Sequence, residues 1–401
     1  MQFNWKNALT VSLMACAVVG GFTACDDDDD DNNNSKTLSV NEIALAAINK
    51  NFVETTVIPT YAKLADASEA LLDDVEKLGK EGGLTDANIA AAGTQWKVAR
   101  KYWELSEAFL FGAASGYAID PHIDTWPFNE SAFNKLMSDN KSLSDEAKDV
   151  IDECVATTQQ LTGFHAVEYI LFAEGATKTA AAFEADELKD VKLYFVEAAA
   201  ADLYLSSVRL LAAWKGTENV STARQELLEE AELEPEDNFG EEFINAGNAG
   251  SRWKTVQLAA VNILDGCQDI IGEVNEGKIG TAATGEDVNY IESPHAYNSI
   301  TDFKDNIVSC AHALYGVGPD VEWSTDLTSS ATSIMAWGLV NAASETKEVA
   351  EKLAVAIAKI EAMKAPFVLY YTDQSAKDAM EALGELDEAI DALKEKVSAA
   401  E

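Results

Sequence analysis

The 401-residue sequence has few basic residues, few histidines and few prolines. Only 29 Lys and Arg stand against 69 Asp and Glu, which gives a formal charge of −40. Nucleic acids and anionic membrane surfaces are bound by clustered Lys and Arg, so this composition argues against both as partners. An acidic surface instead favours cations or basic partners, or it serves only to keep an exported protein soluble.

Several common motifs are also absent. The chain has no HExxH zinc motif, no glycine-rich phosphate loop and no GxSxG nucleophile motif. Its aromatic residues recur at helical spacing, which is typical of core positions and not of a surface that stacks nucleic-acid bases. Any catalytic or binding site must therefore be built in another way.

The first 24 residues have the features of a cleaved secretory signal. They contain one Lys, an apolar run too short for a membrane span, and small residues before Cys25. The ending Phe22-Thr23-Ala24-Cys25 resembles a bacterial lipobox, in which the cysteine is lipidated and becomes the mature N-terminus. The alternative is an ordinary signal peptide followed by an incidental cysteine.

An acidic segment follows the candidate lipidation site. Asp26 to Asp31 form an unbroken run before three asparagines and a serine. A like-charge run cannot collapse, so we expect residues 25–38 to form a solvated tether between the lipid and the folded domain. The run resembles the surface-export signal of Bacteroidetes lipoproteins. We therefore predict an outer-membrane lipoprotein that faces the periplasm or the cell surface and meets the membrane only through its lipid.

The remaining cysteines do not indicate a disulfide framework. With Cys25 lipidated, Cys154, Cys267 and Cys310 are left in the mature chain. Their number is odd, none has CxxC spacing, and each lies in a helical apolar pattern. We expect buried free thiols.

From residue 39 onward, apolar residues recur at helical spacing and no run of alternating β-branched residues is convincing. The predicted class is all-α, with two helical-bundle-like domains packed around an interdomain cleft. The predicted helices cover residues 40–80, 86–112, 144–173, 179–214, 222–233, 243–275, 299–315, 328–364 and 366–398.

The predicted domain boundary lies within residues 215–242, where charge density rises and apolar periodicity weakens. It gives an N-terminal bundle over residues 39–215 and a C-terminal bundle over residues 216–401. A long irregular stretch at residues 277–297 interrupts the second bundle. Long ordered loops in helical proteins often carry function.

The predicted helix over residues 144–173 places His165 and Glu168 on an apolar face. That face comprises Cys154, Thr158, Leu161, His165, Glu168 and Phe172, at spacings of three and four. A carboxylate buried there is costly unless it meets a cation, a metal ion or hydrogen-bond donors. Two interpretations remain open: the pair binds a metal ion, or it forms a buried hydrogen-bonded pair.

A second stripe, on the predicted helix over residues 86–112, turns Glu107 toward the core and Glu104 outward. The stripe comprises Trp96, Ala99, Trp103, Glu107 and Leu110. Two inward acids and one inward histidine on facing helices could form a metal site, because helical bundles hold iron, manganese and zinc in this way. Alternatively, Glu107 pairs with Arg100 or Lys101 of its own helix.

Two loops offer further polar groups. Residues 114–129 place Asp120, His122 and Asp124 near Trp126, either to complete a metal site or as a loop anchored by a buried tryptophan.

The other loop contains Glu292, Ser293, Pro294 and His295, and Ser299 and Asp302 follow it. The spacing of Ser299 and Asp302 favours a helix cap near residue 300.

The G-x-H-x-x-E pattern at Gly163, His165 and Glu168 resembles the signature of the imelysin family, also called imelysin-like or iron-regulated protein A-like. The resemblance spans about residues 40–395. Further landmarks are Trp103, Glu107 and Phe109, the turn Asp124-Thr125-Trp126-Pro127, ILDGCQDIIGEV at residues 263–274, and IESPHAYNSITDFKDNI at residues 291–307.

The resemblance implies an exported all-α protein linked to bacterial iron uptake. It implies a metal ion, or a metal-bearing ligand, bound by His165, Glu168 and Glu107, with iron favoured over zinc and other iron-uptake proteins as partners. Further residues of the implied site are Gly163, Asp124, Trp126, Ser293 and Asp302.

The family is also classed with metallopeptidases, which leaves enzyme activity open. A zinc peptidase needs three protein ligands, an open position for water and usually a glutamate as general base. If His165, Glu168 and Glu107 are the ligands, the motif supplies no base, and Asp124 or another acid must serve. A third interpretation is a metal-free lipoprotein that binds a partner.

Overall fold

A computed structural model describes residues 38–400 of the chain. The predicted signal peptide, Cys25 and nearly all of the predicted tether lie outside these residues. The described chain is all-α apart from the short antiparallel hairpin of β1 (Phe172–Ala173) and β2 (Ala176–Thr177). This confirms the predicted fold class.

The first half of the chain contains ten α-helices within the described residues. They are α1 (Val40–Asn51), α2 (Ile58–Leu78), α3 (Asp86–Glu104), α4 (Ala113–Gly116), α5 (Asp120–Ile123), α6 (Glu130–Asp139), α7 (Asp145–Thr157), α8 (Gly163–Leu171), α9 (Ala180–Glu184) and α10 (Lys189–Lys215). A π-helical segment, Phe52–Val57, joins α1 to α2, and Glu107–Phe109 and Gln159–Leu161 are 3₁₀ turns.

The second half contains nine α-helices within residues 216–400. They are α11 (Thr222–Glu230), α12 (Phe239–Ile244), α13 (Val256–Gly272), α14 (Thr281–Ala283), α15 (Ser299–Tyr315), α16 (Ile334–Asn341), α17 (Ala343–Glu361), α18 (Phe367–Tyr370) and α19 (Gln374–Ser398). The π-helical segment Glu273–Gly280 continues α13 into α14, and Thr217–Asn219 is a 3₁₀ turn.

Local sequence accounts for several helix starts. Ser39 and Glu42 form a capping box at α1, and the hydroxyl of Ser144 accepts a hydrogen bond from the backbone N–H of Ala147 at 3.2 Å. Such caps satisfy backbone donors that the first helical turn leaves unpaired.

The helices form two packed groups. In the first, α2 packs against both α3 and α10. In the second, α19 packs against α13 and α17, and α15 packs against the same two helices. The groups meet where α13 contacts the Glu107–Phe109 turn and where α15 contacts α3. Because this junction joins the two halves of the chain, it is where a site between them would lie.

The predicted helix over residues 144–173 is wrong as a single element. It is broken between Thr157 and Gly163, because Thr158 and Thr162 adopt extended backbone conformations and Gly163 has a φ of +74°. The six-residue face that we predicted across this helix therefore does not exist. Within α8, His165 and Glu168 still share one face, at a spacing of three.

The predicted helix over residues 86–112 also ends early, at Glu104. The buried stripe of Trp96, Ala99 and Trp103 is confirmed. The outward orientation of Glu104 is wrong, because this side chain is fully buried one turn after the buried Arg100, with which it forms an ion pair. Near its C-terminus, α3 is therefore buried on more than one face.

The three cysteines in the described chain, Cys154, Cys267 and Cys310, are buried and free, as predicted. Among residues 38–400, no helix combines the length and the apolar character required to cross a membrane.

Candidate metal centre

The start of α8 fixes the position of the G-x-H-x-x-E motif. Gly163 opens the helix with a φ of +74°, and a Cβ atom added there would lie 2.0 Å from the carbonyl oxygen of Ile123. Only glycine tolerates both the left-handed backbone and this close approach to α5. The glycine thus brings the first turn of α8 against the segment that carries Asp124.

His165 lies between two carboxylates. Its Nε2 is 3.2 Å from Oδ1 of Asp124, and its Nδ1 is 3.6 Å from Oε2 of Glu168. Burial alone would lower the pKa of His165, but these carboxylates outweigh it and raise the pKa to about 9. Without a bound cation, the imidazole is therefore protonated at neutral pH.

Glu168 is held by the loop that precedes α15. Its Oε1 accepts hydrogen bonds from the backbone N–H groups of His295 and Ala296, at 2.8 and 2.7 Å. Its Oε2 is buried and has no hydrogen-bond partner within residues 38–400. One oxygen of the carboxylate thus fixes its orientation while the other is available to a ligand.

His165 and Glu168 line an open pocket of about 250 Å³. Trp126, predicted as a site residue, also lines this pocket, and its peptide bond to Pro127 is cis. The pocket walls also include Phe128, Glu130, Ile291, Pro294, His295 and Val368. The motif is therefore accessible to a small ligand even though its side chains are almost completely buried.

Asp124 connects the motif to the interior. Its Oδ2 accepts a hydrogen bond from Nε1 of Trp103 at 2.6 Å, and its Oδ1 faces both His165 and Arg100. Burial favours the neutral acid, but the neighbouring guanidinium of Arg100 outweighs it and lowers the pKa of Asp124. Asp124 is therefore ionised beside His165.

Arg100 is the central cation of the buried network. It is fully buried and forms ion pairs with Glu104, Asp124 and Glu292. Glu292 belongs to the second half of the chain, so Arg100 links α3 to the loop before α15. Burial alone would lower the pKa of Arg100, but the carboxylates raise it well above its ordinary value.

Lys278 is a second buried cation, and the sequence interpretation missed it. Its Nζ lies 3.0 Å from Oε1 of Glu292, 3.8 Å from Oε2 of Glu104 and 3.7 Å from Oε1 of Glu273. It lies in the π-helical segment Glu273–Gly280, where we expected the start of an irregular loop. Sequence alone gives no signal that a lysine in such a segment turns inward.

Carboxylates outnumber cations around this centre. The buried cationic side chains are Arg100, Lys278 and the protonated His165. The buried acids are Glu104, Glu107, Asp124, Glu168, Glu292 and Asp302. Protons or a bound cation must offset the excess, because unpaired buried charge is strongly unfavourable. Burial accordingly raises the pKa of Asp302 to about 7 and that of Glu107 well above its ordinary value.

Of the three predicted ligands, the structure places His165 and Glu107 in different groups of donor atoms among residues 38–400, and Glu168 in neither group. Within the described chain, atoms that lie within 4.8 Å of one another form the groups Asp124, His165, Glu292 and Glu104, Glu107, Asp124. Asp124 belongs to both groups, whereas His165 and Glu107 share neither. Glu107 is not an ion-pair partner of Arg100 or of Lys101, which instead lies 3.6 Å from Glu322.

The cap predicted at Ser299 and Asp302 is wrong. Asn298 precedes α15, and Ser299 is its first helical residue, so the hydroxyl of Ser299 donates to the carbonyl oxygen of Glu292 at 2.6 Å. Asp302 accepts a hydrogen bond from the Asn298 side chain at 2.6 Å and lies 3.8 Å from Nε of Arg100. Ser293 is buried with a φ of +47°. Ser299 and Asp302 therefore contact Glu292 and Arg100 of the buried network.

His122 takes no part in the centre, because its Nε2 lies 2.8 Å from Oδ2 of Asp202 on α10. The loop over residues 114–129 therefore contributes Asp124 and Trp126 to the centre and its pocket, but not its histidine.

The fold and the site define an all-α protein with a buried, carboxylate-rich centre between two groups of helices. The family model "Peptidase_M75: Imelysin" matches residues 57–399. The chain belongs to the imelysin family.

Comparison with known proteins supports the same relationship. The chain is 27% identical over 257 residues to the iron-regulated protein A of Synechococcus elongatus, a match that covers 64% of this chain but only 60% of that protein.

Two solved structures share the fold. A crystal structure of an iron-regulated protein A precursor from Parabacteroides distasonis matches with a TM-score of 0.75 and 24% identity, over 90% of this chain and 97% of the other. An imelysin-like protein from Psychrobacter arcticum matches with a TM-score of 0.57 and 15% identity, over 88% and 94%.

Proposed function

We propose that this protein is an exported lipoprotein of bacterial iron uptake that binds a metal ion, or a metal-bearing ligand, in the pocket of His165 and Glu168. The iron-related names of its relatives support the assignment to iron uptake. One observation carries the proposal for the site. Oε2 of Glu168 is buried, accepts no hydrogen bond within residues 38–400, and belongs to a side chain that lines an open pocket together with His165.

The spacing of the donor atoms suits a metal ion. An octahedral ion with ligands at about 2.1 Å places neighbouring donors about 3 Å apart, and Nε2 of His165 lies 3.2 Å from Oδ1 of Asp124. We therefore propose His165 and Asp124 as ligands, joined by Glu168 once its Oε2 turns from Nδ1 of His165, 3.6 Å away, toward the ion. Glu107 is not a ligand, because it lines a different pocket. Carboxylates with one imidazole favour iron, with zinc as the alternative.

The charge of the surroundings supports the same assignment. A bound cation would displace the proton of His165 and offset part of the carboxylate excess. It would share Asp124 with Arg100, whose guanidinium keeps that carboxylate ionised. The acidic surface of the whole chain would raise the local concentration of cations.

These contacts favour binding over zinc-dependent proteolysis. In the donor group of Asp124, His165 and Glu292, both carboxylates already form ion pairs with Arg100. A zinc peptidase also needs an open position for water and a general base, whereas the remaining acid of the motif, Glu168, is oriented by two backbone N–H groups.

The proposed location rests on the sequence around Cys25. Replacing Cys25 with Ser removes the thioether-forming sulfur, so we expect the full-length variant to leave the membrane fraction of the expressing cells. Cys154→Ser, which alters a cysteine of the folded region, is the matched control. If Cys25→Ser stays in the membrane fraction with the wild-type protein, the lipoprotein proposal fails.

Metal binding is tested directly with the chain from residue 35 onward. The protein is loaded separately with ferrous, ferric and zinc ions, desalted, and analysed for bound metal by elemental mass spectrometry. The variants are His165→Ala and His312→Ala. His312 is the control because it is also a buried histidine, but its Nε2 lies 2.8 Å from the carbonyl oxygen of Val321, outside the centre.

We expect close to one metal ion per wild-type chain and per His312→Ala chain, and loss of that ion in His165→Ala. Circular dichroism establishes that each variant is folded. Equal metal content in the wild-type protein and a folded His165→Ala would refute the proposed site, and no metal in any of the three proteins would refute metal binding.

A further inference from the structure

A second pocket, separate from that of His165, lies beside the Glu107–Phe109 turn. Its volume is about 200 Å³, and it shares no lining residue with the first pocket. The turn, α5 and the end of α13 contribute to its walls. Four acids line it: Glu107, Asp120, Asp269 and Glu273.

Glu107 is the observation that points to a ligand. Only 5% of the residue is exposed, and it lines the pocket without a hydrogen bond or an ion pair to any of residues 38–400. The carboxylate of Asp120 is likewise without such a partner in the described chain. A buried carboxylate without donors is unfavourable, and a cation in this pocket would supply them.

The spacing of these acids disfavours a bare metal ion. The only group of donor atoms within 4.8 Å of one another that includes Glu107, in the described chain, contains Glu104 and Asp124. Both of these acids already form ion pairs with Arg100. Asp120, Asp269 and Glu273 join no group of three or more such donors in residues 38–400, so no three of the four pocket acids converge on one small ion.

The remaining walls of the pocket are apolar. Leu110, Phe111 and Ile270 line it together with the acids. Carboxylates that do not converge on one point, in a pocket that also has apolar walls, match a cation that has two charged ends and an aliphatic middle. The pocket is also smaller than those that bind drug-sized ligands, which measure about 300–1,000 Å³.

We propose that this pocket binds a small aliphatic diammonium ion. Glu107 receives one ammonium group, and Asp120, Asp269 and Glu273 receive the other. Leu110, Phe111 and Ile270 contact the methylene chain. The site shares no lining residue with the pocket of His165 and Glu168, and it accounts for the buried Glu107, which is not among the proposed metal ligands.

Titration calorimetry of the chain from residue 35 onward tests the proposal. The probes are 1,4-diaminobutane, 1,5-diaminopentane, butylamine, magnesium ion and a Lys-Lys dipeptide. The variants are Glu107→Gln and Asp120→Asn, which keep the shape of each side chain but remove its charge. Glu81→Gln removes the same charge from an exposed residue outside the pocket and is the matched control.

We expect saturable 1:1 binding of a diamine that is at least about tenfold tighter than binding of butylamine or magnesium. Glu107→Gln and Asp120→Asn should each weaken it at least about tenfold, because each loses a charge-assisted hydrogen bond to an ammonium group. Glu81→Gln should bind as the wild-type protein does. Thermal melts establish that each variant is folded.

Three results would overturn the proposal. The first is the absence of saturable diamine binding. The second is an equal loss of binding in Glu81→Gln, which would assign binding to the acidic surface as a whole. The third is tighter binding of magnesium or of the dipeptide than of either diamine. The last result would reassign the pocket to an inorganic cation or to a basic protein partner.

Discussion

At the scale of single residues, Gly163 carries a constraint that the motif does not reveal. Its positive φ excludes a side chain, and so does the carbonyl oxygen of Ile123, which lies 2.0 Å from the position that a Cβ atom would take. We predict that Gly163→Ala lowers the free energy of unfolding by more than about 2 kcal/mol, because backbone strain and steric conflict act together. Urea denaturation measures the change.

Gly82 supplies the control for that measurement. It has nearly the same φ, +71°, but nothing lies within 4 Å of an added Cβ atom. Gly82→Ala should therefore cost only the backbone term, about 1–2 kcal/mol. Equal losses in the two variants would contradict the role assigned to the contact between α8 and α5.

Asp305, which does not line the pocket of His165 and Glu168, makes the stability of the protein depend on pH. Burial raises its pKa from 3.8 to about 6. Between these values the folded state binds more protons than the unfolded state, so this residue's contribution to stability falls as the pH rises through that window.

We predict that Asp305→Asn is more stable than the wild-type protein at about pH 7.5, by about 2–3 kcal/mol, and equally stable near pH 4. Denaturation at the two pH values tests this. The sign follows because asparagine cannot acquire the buried charge. A constant difference between the variants at both pH values would contradict the raised pKa.

At the scale of elements, α3 is held to the rest of the molecule through Arg100. Replacing Arg100 with Met would leave Glu104, Asp124 and Glu292 without their shared partner. We expect a loss of about 3–5 kcal/mol in unfolding free energy, because removing one member of a buried ion pair leaves an uncompensated charge. Chemical denaturation at neutral pH measures this loss.

Arg252→Met is the control for that variant. Arg252 pairs with Asp237 and Glu242, but its side chain is 39% exposed. Its loss should cost at most about 1 kcal/mol, as for other surface ion pairs. Comparable losses at Arg100 and Arg252 would show that the buried network contributes less than its burial implies.

The helices follow the apolar periodicity of the sequence in their buried faces but not in their ends. Helical periodicity correctly placed Trp96, Ala99 and Trp103 in the core. It failed between Thr158 and Gly163, because extended threonines and a left-handed glycine interrupt the chain where apolar spacing continues. Periodicity reports which residues are buried, but it does not report where the backbone leaves the helix.

The candidate site was predicted only in its local part. His165 and Glu168 lie three residues apart on one helix, so sequence spacing could bring them together. Glu292 and Lys278 reach the centre from the other half of the chain, and no local pattern encodes such contacts. Glu104 was misplaced because its partner Arg100, one turn earlier, was not recognised as buried.

At the scale of the whole molecule, the two halves share the charged centre. Arg100 binds Glu292, and Lys278 lies beside Glu104. The division at residue 215 stays a prediction, and calorimetry of the chain from residue 35 onward bears on it. We expect one unfolding transition, because neither group of helices can separate without exposing unpaired charges of the other.

Arg100→Met should lower the midpoint of that transition as a whole, by about 5 °C for a chain of this size. Two resolved transitions in the wild-type protein, only one of which shifts in Arg100→Met, would show instead that the halves unfold independently.

The function proposed for the whole molecule requires a cation at His165 and Glu168. The most direct test is anomalous diffraction at the iron edge from crystals of the chain from residue 35 onward, loaded with iron. We predict one strong peak about 2.0–2.6 Å from Nε2 of His165 and from oxygens of Asp124 and Glu168. An empty pocket in those crystals, with iron found only on surface carboxylates, would contradict the central claim.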